Sequence, residues 1–271
     1  MGLLRNEKSF LLLINSITII FYYITIIDNI NLVIVKNGAI FVFKFYIMEF
    51  QLKFKVNQSL FLKDPEGSTI GKAIVAKSID LIYGIGFEQF TFKKLAQEIN
   101  TTEATIYRYF SSKHKLLLYI MSWYWQYLEF LTKMRLSNVK NSKEKLELVL
   151  EIITYNFIPE DNLLDFNLDY LNAIVISESS KAYLVKEVDI INNDLAYTPL
   201  KNYCFYISKI IKEFQPDYEF PNSLASTLLE TSHSQRFFSE HLNRLTDNPE
   251  KIHHNAYVLS YLNQLLFSVL K

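Results

Sequence analysis

The main pattern along the chain is helical, and it begins after Ser68 and continues to the last residues. Apolar residues there recur at spacings of three and four, and prolines lie between the periodic stretches. This spacing predicts helices at 69–84, 92–99, 103–109, 112–136, 142–157, 163–178, 197–213, 222–245 and 250–270. The pattern between 179 and 196 is ambiguous. The sequence therefore predicts an all-α fold beyond residue 68.

The first 47 residues have a different pattern. Phe10–Ile27 is an uncharged apolar run, close to the roughly 20 residues that span a bilayer. It can be a membrane anchor, or a signal peptide, although its length and the missing small-residue cleavage site disfavour the latter. A third interpretation is that translation begins at Met48 and that 1–47 is an upstream extension. We prefer the third, because the flanking Lys and Arg lack the bias that orients membrane anchors.

Two short segments before Ser68 have the pattern of strands. Asn37-Gly38, between alternating apolar residues, is a good two-residue turn, so a hairpin is an alternative for this region. From Phe50 to Val56 apolar and polar residues alternate, as in a half-buried strand. Asp64-Pro65-Glu66-Gly67 then breaks the chain. We expect 48–68 to form an extended arm that leads into the first helix.

Charge and cysteine content narrow the cellular role only slightly. The chain has 28 basic and 28 acidic residues, of which 10 and 7 fall in 48–120, and 14 and 19 in 121–271. The middle segment is therefore the part best suited to face phosphates, although its positive charge is mild. Cys204 is the single cysteine, so an intramolecular disulfide is excluded, which is consistent with a cytoplasmic protein.

Glycine content argues against several classes of enzyme. The last 185 residues contain no glycine, whereas phosphate-binding loops, nucleophile elbows and dinucleotide fingerprints need glycine where the backbone turns sharply. His233 and His241 lie eight residues apart on one predicted helix, which is not the spacing of a metal site. We expect no catalytic site, no cofactor and no metal.

The segment from 69 to 118 has the pattern of a helix-turn-helix. A first helix ends near Gly84 and Gly86, and Thr91 can cap the next helix. Asn100 follows where a tight turn favours a left-handed residue. Thr102 then caps a short helix that is polar at its N-terminal end. This arrangement lets the second helix of the motif enter the major groove of DNA.

These residues resemble the DNA-binding domain of the TetR/AcrR family over about 50 positions. The likeness runs through Gly86-Phe87-Glu88-Gln89-Phe90-Thr91-Phe92-Lys93-Lys94-Leu95-Ala96, then Asn100-Thr101-Thr102-Glu103-Ala104-Thr105-Ile106-Tyr107-Arg108-Tyr109-Phe110-Ser111-Ser112-Lys113 and Leu116-Leu117. The ending Tyr-x-Tyr-Phe-x-x-Lys-x-x-Leu-Leu is the specific part. The sequence departs from the family at Asn100 and Ala104, where Gly is common, and at Lys77-Ser78, where Ala-Ala is common.

The resemblance implies two sets of DNA contacts. Positions that usually touch phosphates are occupied by Thr91, Lys93, Tyr107 and Lys113. Positions that usually read base edges are occupied by Thr102, Glu103, Ala104, Thr105 and Arg108. Physical chemistry supports this division, because hydroxyls and helix N-termini donate to phosphate oxygens while the first exposed turn faces the groove. Tyr109 is equally suited to packing or to a phosphate contact, and we expect Ile106 and Phe110 to be core residues.

Residues 119–271 resemble the family only as a helical domain of the expected length, which implies effector binding and dimerisation. Aromatic residues are frequent, notably Trp123, Tyr124, Trp125, Tyr127 and Phe130. Each is best interpreted as core, but together they suit an apolar effector cavity. Apolar stripes on the last two predicted helices suit a two-fold four-helix interface, and burial inside one protomer would give the same stripes. The resemblance favours the dimer.

The sequence thus predicts an N-terminal three-helix DNA-binding domain followed by a helical ligand-binding and dimerisation domain. The domains expected are 1–47 as a hydrophobic extension, 48–68 as an arm, 69–118 as the helix-turn-helix, and 119–271 as the helical domain. By resemblance, we expect a transcriptional regulator, specifically a ligand-responsive repressor, whose homodimer binds a palindromic operator in double-stranded DNA. Two alternatives are an enzyme that contains a helix-turn-helix and a regulator tethered to a membrane through 10–27.

Overall fold

The N-terminal unit contains a β-hairpin. A computed structural model of the chain describes residues 31–36, 39–44, 54–157, 166–248 and 252–270, and the chain divides into compact units at 1–50 and 51–271. In the first unit, strand β1 (Asn31–Lys36) pairs antiparallel with strand β2 (Ala39–Lys44), with Lys36 opposite Ala39. The hairpin alternative is therefore confirmed. The apolar run Phe10–Ile27 lies outside the described residues, and no helix among those described is long and apolar enough to cross a membrane.

The second unit is helical over its described residues, which confirms the all-α prediction. Its helices are α1 (Thr69–Gln89), α2 (Phe92–Glu98), α3 (Glu103–Tyr107), α4 (Lys113–Leu136), α5 (Ser142–Ile153), α6 (Leu168–Glu178), α7 (Ser180–Tyr183), α8 (Val188–Asn193), α9 (Thr198–Phe214), α10 (Pro221–His241) and α11 (His254–Val269). The ambiguous stretch between 179 and 196 contains two short helices, α7 and α8. Helix α6 begins later than its periodicity predicts, because Asn167 caps it by accepting from the backbone N–H of Tyr170.

The prediction of a strand from Phe50 to Val56 is wrong for residues 54–56, which form no strand. Residues 50–53 lie outside the described part of the chain. The alternation nevertheless has a physical cause. Val56 is buried and Lys55 is exposed, and the Phe54 ring lies edge-on to Trp123 of α4, with 5.0 Å between the ring centroids. The inward side chains pack on a helix surface, so the segment has a buried side without a partner strand.

Helix α4 is the centre of the core, and its sequence explains why. Leu116, Leu117, Tyr124 and Leu128 have no exposed surface. One polar group that it buries finds a partner in a neighbouring helix, since the Tyr124 hydroxyl donates to Asn172 Oδ1 at 2.7 Å. Burial also confirms the interpretation of four aromatic residues as core, although Phe130 is 38% exposed. The buried members are Trp123, Tyr124, Trp125 and Tyr127.

Several leucines of the apolar stripes on the last two helices are buried inside the protomer, although the ends of both stripes are exposed. Helix α11 packs on α10 and α5, and its Leu262 and Leu266 have no exposed surface. Leu224 and Leu228 of α10 are also buried. The assignment of these leucines to a dimer surface is therefore corrected: helical periodicity shows that a face is apolar, but not whether a second chain covers it.

Candidate nucleic-acid interface

The turn between α1 and α2 is made by Gly86. This residue has φ of 76° and ψ of 156°, a backbone conformation that side chains make costly and glycine adopts readily. It interrupts the helical conformation within α1, and the next residue, Phe87, turns inward and is buried. Phe90 and Leu95 continue the same core with no exposed surface. Helix α2 is thereby fixed against α1.

Local capping bonds define α2, the turn after it and α3. The Thr91 hydroxyl accepts from the backbone N–H of Lys94 at 3.2 Å and begins α2. Asn100 has φ of 52°, which confirms the left-handed turn expected there. The Thr102 hydroxyl accepts from the backbone N–H of Thr105 at 3.2 Å and begins α3. Ile106 and Phe110 have no exposed surface, which confirms that they belong to the core.

Most of the side chains expected to contact DNA are exposed on α2 and α3. Thr105 is half-buried, and its hydroxyl lies 3.0 Å from that of Thr102. Tyr107 is 50% exposed, and its ring lies edge-on to Phe92 of α2 with 5.0 Å between centroids. This contact joins the start of α2 to the end of α3. The exposed members are Thr91, Lys93, Thr102, Glu103, Ala104, Tyr107 and Arg108.

Tyr109 is placed differently from these residues. It is 2% exposed, its hydroxyl lies 2.8 Å from Ser68 Oγ, and Lys63 Nζ lies 5.0 Å from the centre of its ring. The hydrogen bond from Ser68, together with Lys63, lowers the pKa of the tyrosine despite its burial. Of the two roles that the sequence allowed, the structure gives Tyr109 the packing role.

Lys113 also has partners that the sequence did not reveal. Its ammonium donates to the backbone carbonyls of Phe87, Glu88 and Phe90, with distances of 3.0, 3.2 and 3.4 Å. It also lies 4.6 Å from the centre of the Phe87 ring. These three acceptors match the three donors of an ammonium group. Lys113 therefore closes the end of α1 and fastens it to the start of α4.

Glu178, at the end of α6, is a residue that sequence reasoning missed. Its Oε1 accepts from the backbone N–H of Phe87 at 3.2 Å, and its Oε2 pairs with Lys181 Nζ at 2.6 Å. Lys181 also reaches Glu88 Oε1 at 3.1 Å. The turn after Gly86 is thus held from the helical domain as well as from α4. No local signal marks Glu178, because its partner lies 91 positions away.

A small pocket lies in the helical domain between α4, α7 and the segment that leads into α9. Leu118, Met121 and Trp125 of α4 form one wall, and most of the lining is apolar. Ser122 also lines it; this residue is 3% exposed, and its hydroxyl has no hydrogen-bond partner among the described residues. A buried hydroxyl without a partner is unfavourable unless something binds it. The remaining lining residues are Ser179, Ala182, Tyr183, Ala196, Tyr197, Pro199 and Leu200.

Comparison with protein families and curated sequences gives one match. Residues 74–120 match the model of the family described as bacterial regulatory proteins, tetR family. This range begins in α1, contains α2 and α3, and ends in α4. No curated protein sequence matches the chain.

Solved structures with the same fold include three that cover most of the chain. The fatty acid degradation regulator FadR from Bacillus halodurans is 15% identical, with a TM-score of 0.51 over 72% of this chain and 92% of its own. FadR from Bacillus subtilis, solved with stearoyl-CoA, is 17% identical, with a TM-score of 0.51 over 73% and 97%. The superantigen PfiT is 15% identical, with a TM-score of 0.52 over 77% and 99%. At these identities the likeness shows the fold.

Proposed function

The chain is a TetR-family protein through the DNA-binding domain at residues 74–120, and from this premise we propose that it is a ligand-responsive transcriptional repressor that binds a palindromic operator as a homodimer. The observation that carries this proposal is the match of 74–120 together with the exposed side chains of α2 and α3. The N-terminal half of α3 is polar and open to solvent, as a helix that enters a major groove must be. We place its action in the cytoplasm, where it would meet DNA.

The exposed residues divide into two proposed roles. Lys93 and the Thr91 hydroxyl, at the start of α2, are suited to phosphate oxygens, and Tyr107 extends this set through its contact with Phe92. Base edges would be read from the first turn of α3 and from its end. The proposed reading set is Thr102, Glu103, Ala104, Thr105 and Arg108. Lys113 and Tyr109 support this surface from beneath.

A small-molecule effector is the second part of the proposal. The apolar pocket beside α4 has a volume of about 20 Å³, so an effector larger than a water molecule would have to widen it. The proposed effector is a mainly apolar molecule with one polar group that pairs with the Ser122 hydroxyl. The solved FadR regulator from Bacillus subtilis is in complex with stearoyl-CoA. Ser179, a lining residue, follows Glu178 directly, so a molecule that displaces this wall would act on the residue that holds the turn after Gly86.

The homodimer is the third part, and its proposed surface is the outward side of the last two helices. Tyr261 of α11 is 38% exposed, Val269 is 39% exposed, and Leu242 at the end of α10 is 48% exposed. Exposed apolar side chains of this kind are suited to a two-fold contact, in which the same surface of each chain meets its copy.

Replacing Lys93 or Lys113 by Ala separates a phosphate contact from a structural lysine. We expect Lys93→Ala to weaken binding to all duplexes alike and to lower the dependence of log K on log salt by about one, since one phosphate contact is lost. Lys113→Ala should leave the salt dependence unchanged and lower the melting temperature, because three carbonyls of the turn lose their donor. Binding titrations at several salt concentrations measure the first effect, and circular dichroism the second. If the two variants exchanged these effects, the roles assigned here would be reversed.

Replacing Thr105 by Ala tests direct base reading. Thr105 is half-buried and lies on the first turn of α3, where a side chain can reach a base edge in the major groove. We expect a loss of about 1–3 kcal/mol at one base position in each half of the operator, with little change in salt dependence. Titration against operator duplexes altered at single base pairs gives this value. An equal loss on unrelated duplexes would show that Thr105 contacts the backbone of DNA instead.

A further inference from the structure

The described part of the arm, residues 54–68, contacts Tyr109, just after α3, and Asp194, which lies two residues before the pocket wall. We propose that the arm is a strap that positions α3 from the helical domain, with Asn57, Ser59 and Ser68 as its positioning residues. Its significance for DNA recognition rests on the proposed function, but its contacts belong to the free protein.

One end of the arm is fixed to the helical domain. Asn57 Nδ2 donates to the backbone carbonyl of Asp194 at 2.6 Å, and Ser59 Oγ donates to the same carbonyl at 3.1 Å. These bonds cross 137 and 135 positions of sequence. The Phe54 ring adds edge-on contacts with Trp123 and Phe130, at centroid distances of 5.0 and 6.1 Å. Two side chains thus converge on a single acceptor at the end of α8.

The middle of the arm is packed on the core. Leu60 is 1% exposed and Val56 is 6% exposed. The Phe61 ring lies edge-on to Tyr119 of α4, with 6.1 Å between centroids. Pro65 lies so close to α1 that a Cβ on Gly71 would come within 2.2 Å of the Pro65 carbonyl oxygen. The close approach of the two backbones therefore requires glycine at position 71.

The other end of the arm holds Tyr109, which follows α3 after one residue. The backbone N–H of Leu62 donates to the Tyr109 carbonyl at 2.7 Å, and the Ser68 hydroxyl pairs with the Tyr109 hydroxyl at 2.8 Å. The Tyr109 N–H in turn donates to Ile106 O of α3 at 2.8 Å. A short helix gains little stability from its own hydrogen bonds. The orientation of α3 therefore depends on where the arm holds Tyr109.

The loop that receives the arm is also part of the pocket. Ala196 and Tyr197 line the pocket, and Asp194 lies two residues before Ala196. The Asp194 carboxylate also faces Lys115 at the start of α4, with 3.6 Å between Oδ2 and Nζ. A displacement of this loop would move the carbonyl that Asn57 and Ser59 bind. A movement of the pocket wall would thus be transmitted to α3 through the arm, independently of Glu178.

Hydrogen–deuterium exchange of the DNA-free full chain tests the strap. In the double variant Asn57→Ala/Ser59→Ala, we expect amides of 103–110 to exchange roughly fivefold to thirtyfold faster, as for the loss of one or two hydrogen bonds. Tyr109→Phe, which keeps the ring, should accelerate the same amides from the other end. Ser59→Thr keeps the hydroxyl and should leave them unchanged. The matched control Asn222→Ala/Ser226→Ala changes the same residue types at exposed positions of α10.

The outcomes separate the strap from a general effect on folding. Faster exchange in 103–110 with unchanged exchange in α9 supports the proposal. Unchanged exchange in 103–110, or equal acceleration in α9, would overturn it. Because DNA is absent, these results do not depend on the proposed function. Failure of the wild-type chain to bind any duplex, with the strap intact by exchange, would refute the proposed function alone.

Discussion

Leu262→Glu should unfold the protein, whereas Tyr261→Glu should leave each chain folded and separate the proposed dimer. Leu262 has no exposed surface where α11 packs on α10 and α5. A carboxylate at that position loses its hydration without gaining a partner, and the expected destabilisation is about 4 kcal/mol or more. Tyr261 is the adjacent residue and is 38% exposed, so a charge there remains hydrated and disturbs only a surface contact.

Thermal unfolding by circular dichroism and sedimentation velocity together measure these two effects. Leu262→Glu should already be unfolded at room temperature and show no cooperative thermal transition. Tyr261→Glu should unfold cooperatively, as the wild type does, and sediment as a monomer. A folded Leu262→Glu monomer would restore the assignment of the leucine stripe to the dimer surface. A Tyr261→Glu dimer would place the contact between chains elsewhere.

The stability of the wild type should fall between pH 6.5 and pH 4 because of His233. This residue of α10 is 4% exposed and lies beside Trp125, with 5.5 Å between ring centroids. Burial lowers its pKa to about 4 from 6.5. Because the pKa of His233 is lower in the folded state than in the unfolded state, protonation favours unfolding. Its neutral form contributes fully to the free energy of unfolding above pH 6.5, and this contribution is lost as the pH falls towards 4. The expected loss is on the order of 3 kcal/mol.

The variant His233→Leu provides the control for this titration, because leucine has no proton to bind. Denaturant unfolding of both proteins across this pH range gives their free energies of unfolding. Other titrating groups are common to the two, so the difference between the curves isolates His233. We expect the wild type to lose stability relative to the variant as the pH falls. Parallel curves would show that the imidazole reaches solvent when it is protonated.

The helix-turn-helix could be predicted from the sequence because local contacts determine it. Thr91 and Thr102 cap helices by accepting from an N–H three residues on, and Asn100 adopts a left-handed conformation that few residues tolerate. Such signals lie within one turn of the chain. The bounds of α2 and α3 consequently agree with the periodicity to within two residues.

The partners of the candidate site could not be predicted in the same way, because they come from distant parts of the chain. Tyr109 meets Ser68 across 41 positions, and Lys113 meets the turn after Gly86 across 23 to 26. A motif indicates that a lysine belongs at position 113, but only the packing of α1 against α4 shows which acceptors surround it. The leucines of α11 illustrate the same limit for apolar residues.

Selection from a random-sequence duplex library measures most directly whether this chain reads DNA through α3. The full chain is incubated with duplexes longer than two helical turns, and the retained DNA is sequenced. The account predicts an enriched two-fold symmetric motif whose half-sites lie about 10 base pairs apart, and Arg108→Ala should weaken its preference at the same position in both halves. Retained DNA with the composition of the starting library, or a motif unchanged by both Arg108→Ala and Thr105→Ala, would contradict it.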